Sequence, residues 1–145
     1  MQVSELMSSD VKMVSPETTL REAARLMREA DTGFLPVSEN DRLVGAVTDR
    51  DIALRAVAEG KDPNATRVRE AMSAHVAYCF EDQDPREIAD MMGEKQIRRL
   101  PVLNRAKRLI GVVSLGDLAR LTHQNPKIGQ ALGEISRESG ESRKV

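Results

Sequence analysis

Aromatic residues are nearly missing from this chain: it has no tryptophan, one tyrosine and two phenylalanines in 145 residues. Without them there is no platform on which nucleic-acid bases could stack. Charge of one sign is missing too. Lys and Arg total 22 against 23 Asp and Glu, a net charge of −1, so no basic field is available to hold a phosphate backbone. There is one cysteine, Cys79, which excludes an internal disulfide. The two histidines, His75 and His123, lie far apart, and neither has metal-ligand spacing or a triad context. No glycine-rich phosphate loop occurs. No apolar run approaches the roughly 18 residues that cross a bilayer. The opening MQVSELMSSD is polar and acidic, unlike a secretion signal. The expectation is a soluble cytoplasmic protein without nucleic-acid or membrane partners and without a metal.

What is present is a sequence written twice. Shifted by 65 residues, VSELMSSDV (3–11) lies over VREAMSAHV (68–76), REAARLMRE (21–29) over REIADMMGE (86–94), and FLPV (34–37) over RLPV (99–102). The shift then becomes 66, and RLVGAV (42–47) lies over RLIGVV (108–113). A one-residue change in a polar turn is what a duplicated hairpin tolerates.

Each copy reads β-α-β-β-α. Val11–Val14 and Val76–Cys79 are short apolar strands. Thr18 or Thr19 can cap the first helix, and Asp84-Pro85 offers a cap followed by proline at the first helical position. Leu20, Ala23, Ala24 and Met27, and again Ile88, Ala89 and Met92, fall at helical spacing. Two strands follow in each copy, Phe34–Val37 with Leu43–Val47 and Leu100–Leu103 with Leu109–Val113. A last helix starts at Thr48 or Ser114 and runs to about Glu59 or His123, with Gly60 placed to end the first of them. A unit of about 60 residues is marginal alone. The two repeats are therefore expected to pack sheet to sheet about a pseudo-twofold axis, giving an α+β fold. The boundaries read 1–62 for the first repeat, 63–67 for a linker, 68–124 for the second repeat and 125–145 for a tail. In the tail, Ile128, Leu132 and Ile135 fit a short helix that frays toward the end.

The strand-to-helix step carries the only recurrent chemistry: Thr48 with Asp51, and Ser114 with Asp117. One reading is a capping box, with hydroxyl and carboxylate each satisfying a helix amide. The other is a nucleotide grip, in which the carboxylate accepts from vicinal ribose hydroxyls beside a helix N-terminus. Arg98-Arg99 precedes a buried strand. The pair is either salt-bridged on the surface or a fork-shaped phosphate donor. Asp49, Asp51, Glu81, Asp82 and Asp84 lie at helix starts, where the macrodipole favours them, and form no acid–base pair. Met7 and Met72 either border a pocket or read as simple packing, and Cys79, on a strand, is either an inert buried thiol or the edge of a ligand cleft.

The signatures L/A-M-S, T/D-x-x-E-A/I-A, x-L-P-V and G-h-V-[TS]-x-x-D, with h apolar, recur in fixed order in both halves. Together they resemble a tandem pair of CBS domains over residues 1 to about 124. TDRDI and IRRLPV are especially similar to small stand-alone bacterial members. The resemblance implies a non-catalytic sensor that binds an adenosine compound (AMP, ADP, ATP, NAD or S-adenosylmethionine) between repeats, assembles as a homodimer and acts on an effector protein in trans. It implies two groupings of residues. In the first, Thr48 and Asp51 hold ribose and phosphate, with Ala46 and Ala77 near the adenine and Ile97, Arg98 and Arg99 opposite. In the second, Ser114 and Asp117 grip ribose, Val112 backs the base, Lys12, Val14, Thr32 and Gly33 line the far wall, and Arg98 or Arg99 meets phosphate. Gly33-Phe34 departs from the pattern by lacking the basic residue of its sister repeat. The rival reading keeps the fold as a dimerisation or interaction module without a ligand.

Overall fold

A computed structural model describes residues 1–120 together with Gly129, Gln130 and Gly133. The proposed tail helix at Ile128, Leu132 and Ile135, and the helix end at His123, lie outside the described residues. Among those described, no helix is long and apolar enough to cross a membrane. The fold is α+β, and the chain forms two compact units. One holds Val11–Val76 and Lys107–Leu109; the other holds Met1–Asp10, Ala77–Ala106 and the described residues from Ile110 on. They are called here the first-repeat and second-repeat units.

In the first-repeat unit, Thr19 caps α1 (Leu20–Ala30) by accepting from the Glu22 N–H. Helix α1 buries Leu20, Ala23 and Met27; Ala24, expected on that face, is exposed. The helix ends at Asp31, which takes the left-handed conformation at φ 52°. Strands β1 (Phe34–Glu39) and β2 (Arg42–Thr48) pair antiparallel, with Glu39 opposite Arg42. Asn40 and Asp41, both at positive φ (51° and 64°), make the two-residue turn. This is the mirror-type hairpin turn that suits the twist of the strands. Helix α2 (Asp49–Ile52) widens into a π-helical turn, Ala53–Val57, and the segment closes at Gly60, φ 72°.

The expected strand Val11–Val14 contributes a single bridge. The Val14 N–H donates to Pro36, and the Ser38 N–H donates to Val14. Two residues on, Pro16 has no N–H with which to continue a ladder.

The second-repeat unit repeats the plan. Asp84 caps α3 (Pro85–Lys95), which ends at Gln96, again left-handed at φ 54°. Strand β3 (Cys79–Phe80) pairs parallel with β4 (Arg99–Leu103), and β5 (Leu109–Ser114) lies on the other side of β4. Helix α4 (Leu115–Ala119) follows. The strand expected over Val76–Cys79 thus begins at its last residue.

The leader of each sequence repeat packs on the other repeat. The 3-10 turn Val3–Glu5 donates the Val3 and Ser4 amides to the carbonyls of Gln83 and Glu81, both at 3.0 Å. Its counterpart Val68–Glu70 donates the Val68 and Arg69 amides to Thr18 and Pro16, at 2.7 and 3.0 Å. Each leader then pairs with the edge of the sheet, Ser8 with Val112 on β5 and Ser73 with Ala46 on β2. The cores record the same exchange. Val3 is fully buried with Ile88, Met92, Leu100, Val102 and Leu118; Val68 is fully buried with Leu20, Leu35, Val37 and Val47. The segment 63–67 is not slack. The Leu20 and Arg21 amides donate to Thr66 and Pro63, and the buried Thr66 hydroxyl donates to the Asp62 carbonyl at 2.7 Å.

Candidate functional site

The two strand-to-helix steps are built alike, hydrogen bond for hydrogen bond. Thr48 Oγ1 accepts from the Asp51 N–H at 3.0 Å, and Asp51 Oδ2 accepts from the Thr48 N–H at 2.9 Å. Ser114 Oγ accepts from the Asp117 N–H at 3.1 Å, and Asp117 Oδ2 accepts from the Ser114 N–H at 2.8 Å. Both are complete capping boxes. The first helical amide is also filled in each: Asp49 N–H donates to the Gly33 carbonyl at 2.9 Å, and Leu115 N–H to the Arg98 carbonyl at 2.7 Å.

These bonds occupy one oxygen of each carboxylate. Asp51 Oδ1 lies 4.0 Å from Arg55 Nη2, and Asp117 Oδ1 lies 3.3 Å from Arg120 Nη2. The side chains are 18% and 26% exposed, respectively. Each carboxylate is therefore held in a fixed direction by its own helix and keeps acceptor capacity at the surface of its unit. The arginines were not singled out from the sequence. Arg55 also donates to the Ala71 and Met72 carbonyls, at 2.9 and 3.2 Å, and Arg120 approaches the Leu6 carbonyl at 3.4 Å. Each thus ties a leader to a tetrad. Their spacings after the Asp, i+4 and i+3, were the available signal.

The other candidate residues divide by unit. With Thr48 and Asp51 in the first-repeat unit stand Lys12, Val14, Thr32, Gly33 and Ala46; with Ser114 and Asp117 in the second-repeat unit stand Ala77, Ile97, Arg98, Arg99 and Val112. Each grouping drawn from the resemblance takes members from both units. Lys12, Arg98 and Arg99 are exposed, whereas Ala77, Ile97 and Val112 are half-buried. Val14 and Ala46 are nearly buried, at 7% and 6% exposure. Ala46 exchanges both backbone hydrogen bonds with Ser73, and Val112 does the same with Ser8, so these two can offer a ligand only their side chains. The Thr32 hydroxyl accepts from the Phe34 N–H at 3.2 Å and so shapes the turn that carries Gly33.

The glycine of each G-h-V-[TS] motif has its reason in the leader. A Cβ on Gly45 would stand 2.5 Å from the Ser73 carbonyl oxygen; one on Gly111 would stand 2.5 Å from Met7 Sδ and 2.9 Å from the Ser8 oxygen. Met7 and Met72 lie over these glycines as packing residues. Cys79 is buried, and burial pushes its thiol up to about 12, which leaves it protonated and unreactive at neutral pH.

The sequence matches the CBS domain family over residues 3–57 and again over 68–123. Hypoxic response protein 1 of Mycobacterium tuberculosis is 38% identical over 117 residues, 80% of this chain and 81% of its own. The crystal structure of hypoxic response protein I, which holds two coordinated zinc ions, superposes with a TM-score of 0.75 and 38% identity, covering 83% of this chain and 98% of its own. Among the described residues here, no three His, Cys, Asp or Glu side chains gather as a metal site. The CBS domain pair of protein MJ0100, in complex with 5-methylthioadenosine and S-adenosyl-L-methionine, matches with a TM-score of 0.73 and 27% identity over 84% of this chain and 99% of its own. CBSX2 in complex with AMP matches with a TM-score of 0.72 and 27% identity over 85% and 96%.

Proposed function

The chain belongs to the CBS-domain family as a tandem pair, a class of regulatory module, and from that premise we propose that it is a sensor of an adenosyl compound. Asp51 and Asp117 accept from the ribose hydroxyls, and Thr48 and Ser114 hold the helix starts in place. Lys12, Arg98 and Arg99 supply cations for phosphate. Val14, Thr32, Gly33, Ala46, Ala77, Ile97 and Val112 face the nucleoside. The observation that carries this reading is the paired carboxylate: each capping box spends one oxygen, and the other, beside an arginine, keeps acceptor capacity for a ligand, in a family with structures that hold AMP, 5-methylthioadenosine or S-adenosylmethionine. Two tetrads with the same capping hydrogen bonds also supply two grips. The pair acts in the cytoplasm as a homodimer, which the exposed Leu54 and Val57 support as a self-association face, and it signals to a protein in trans. A ligand can bias that output only by its differential affinity for two states of the assembly.

The test is a thermal melt with AMP, ADP, ATP, NAD and S-adenosylmethionine, with Asp51→Asn and Asp117→Asn alongside. A ligand at a hundredfold excess over Kd adds about 2.7 kcal/mol. For a chain of this size that raises Tm by on the order of 5–10 °C. The expected result is a shift with an adenosyl compound that one or both Asn variants abolish. No shift with any compound at millimolar concentration leaves the tetrads as helix caps and sinks the sensor reading.

A further inference from the structure

The two tetrads share every hydrogen bond of the capping box, yet they differ at two neighbouring positions. In the first-repeat unit the turn residue is Gly33 and the first helical residue is Asp49. In the second-repeat unit the same places hold Arg98 and Leu115. The Asp49 carboxylate folds back over Gly33. A Cβ at position 33 would stand 2.6 Å from Asp49 Oδ2 and 2.9 Å from Oδ1, so a side chain there would push the carboxylate aside. Asp49 Oδ1 also accepts from the Arg50 N–H at 2.8 Å. The negative charge therefore sits over Gly33, on the residue that follows Thr48. The changes are matched: glycine accompanies the carboxylate, and a side chain at position 98 accompanies an uncharged leucine.

Resting on the sensor reading above, we infer that Asp49 is a specificity-determining residue. Its carboxylate turns a ligand phosphate away from the Thr48–Asp51 tetrad, so that the two tetrads take different classes of adenosyl ligand. The Thr48–Asp51 tetrad takes one without a phosphate at that end. The Ser114–Asp117 tetrad, flanked by Leu115 and Arg98, admits a phosphorylated one. A phosphate monoester carries close to two negative charges at neutral pH. A carboxylate at the start of the same helix works against it.

The experiment is isothermal titration of the intact protein with adenosine and with AMP, compounds that differ only in the phosphate, for wild type and Asp49→Asn. Asparagine keeps the shape and the oxygen that accepts from Arg50, and removes the charge. The expected result is a rise in the ratio of AMP to adenosine affinity on the order of tenfold at low salt, a gain that shrinks as salt screens the carboxylate. Gly33→Ala, checked for folding by its melt, displaces the carboxylate and moves the ratio the same way. An unchanged ratio in Asp49→Asn, with adenosine and AMP both bound, overturns this inference and leaves the sensor reading standing. If neither compound binds the wild-type protein, the sensor reading falls and this inference falls with it.

Discussion

Asp84 caps α3 through the Arg86 N–H at 2.8 Å, and the Arg86 guanidinium folds back on the same carboxylate at 2.6 Å. The hydrogen bonds from Arg86 hold its carboxyl near 2, below the usual carboxylate value of 3.8. A group depressed in the folded state stabilises above its unfolded pKa and loses that contribution as pH falls through the folded value. Asp84→Asn keeps a capping oxygen and removes the charge. The expected outcome is that wild type is the more stable protein at pH 5 in urea melts, and that the gap closes between about pH 4 and pH 2. A gap that persists at pH 2 would show that the charge is not its source. Asp82 is likewise held below the usual carboxylate value, by its hydrogen bonds from Arg105. Arg105 also lies over the Phe80 ring at 4.3 Å, and Tyr78 meets that ring edge-on at 5.7 Å. Two of the three aromatic residues thus serve one surface cluster, and the cores rest on aliphatic side chains and methionine.

Among the elements, the helix starts and hairpins were the parts written most plainly in the sequence. Thr19, Asp84, Thr48 and Ser114 all act as the caps their side chains promised, because a cap is a contact within four residues and needs no tertiary partner. The first strand of each repeat was less legible. Val11–Val14 and Val76–Cys79 have strand composition, yet only Val14 and the pair Cys79–Phe80 reach a sheet. Apolar composition states burial, and pairing depends on where a distant edge lies. The motif glycines belong to this scale too. Gly45→Ala drives a Cβ into the Ser73 backbone, whereas Gly111→Ala first meets the flexible end of Met7. Both changes should destabilise, by about 1–3 kcal/mol, with Gly45→Ala the costlier by urea midpoint. The reverse order would place the leaders elsewhere on the sheets.

At the scale of the whole molecule, the chain is two sequence repeats folded as two units that do not follow the same cuts. Val3, near the start of the sequence, is fully buried in the second-repeat core, and Val68 is fully buried in the first. Val3→Ala and Val68→Ala should therefore cost about 2 kcal/mol each. Equal losses of Tm or urea midpoint check the exchange, and a silent Val3→Ala would reduce the N-terminal leader to a frayed end. The sequence by itself determined the duplication, its register, the caps, the hairpin turns and the paired tetrads, because each is local or is repeated 65 or 66 residues away in the same letters. The tertiary structure decided which sheet each leader joins, that Arg55 and Arg120 tie leader to tetrad, and that the Asp49 carboxylate rests on Gly33. Both sheet edges offer a leader the same glycine and the same run of apolar residues, so periodicity could not choose between them. Only the closure of the chain in three dimensions could.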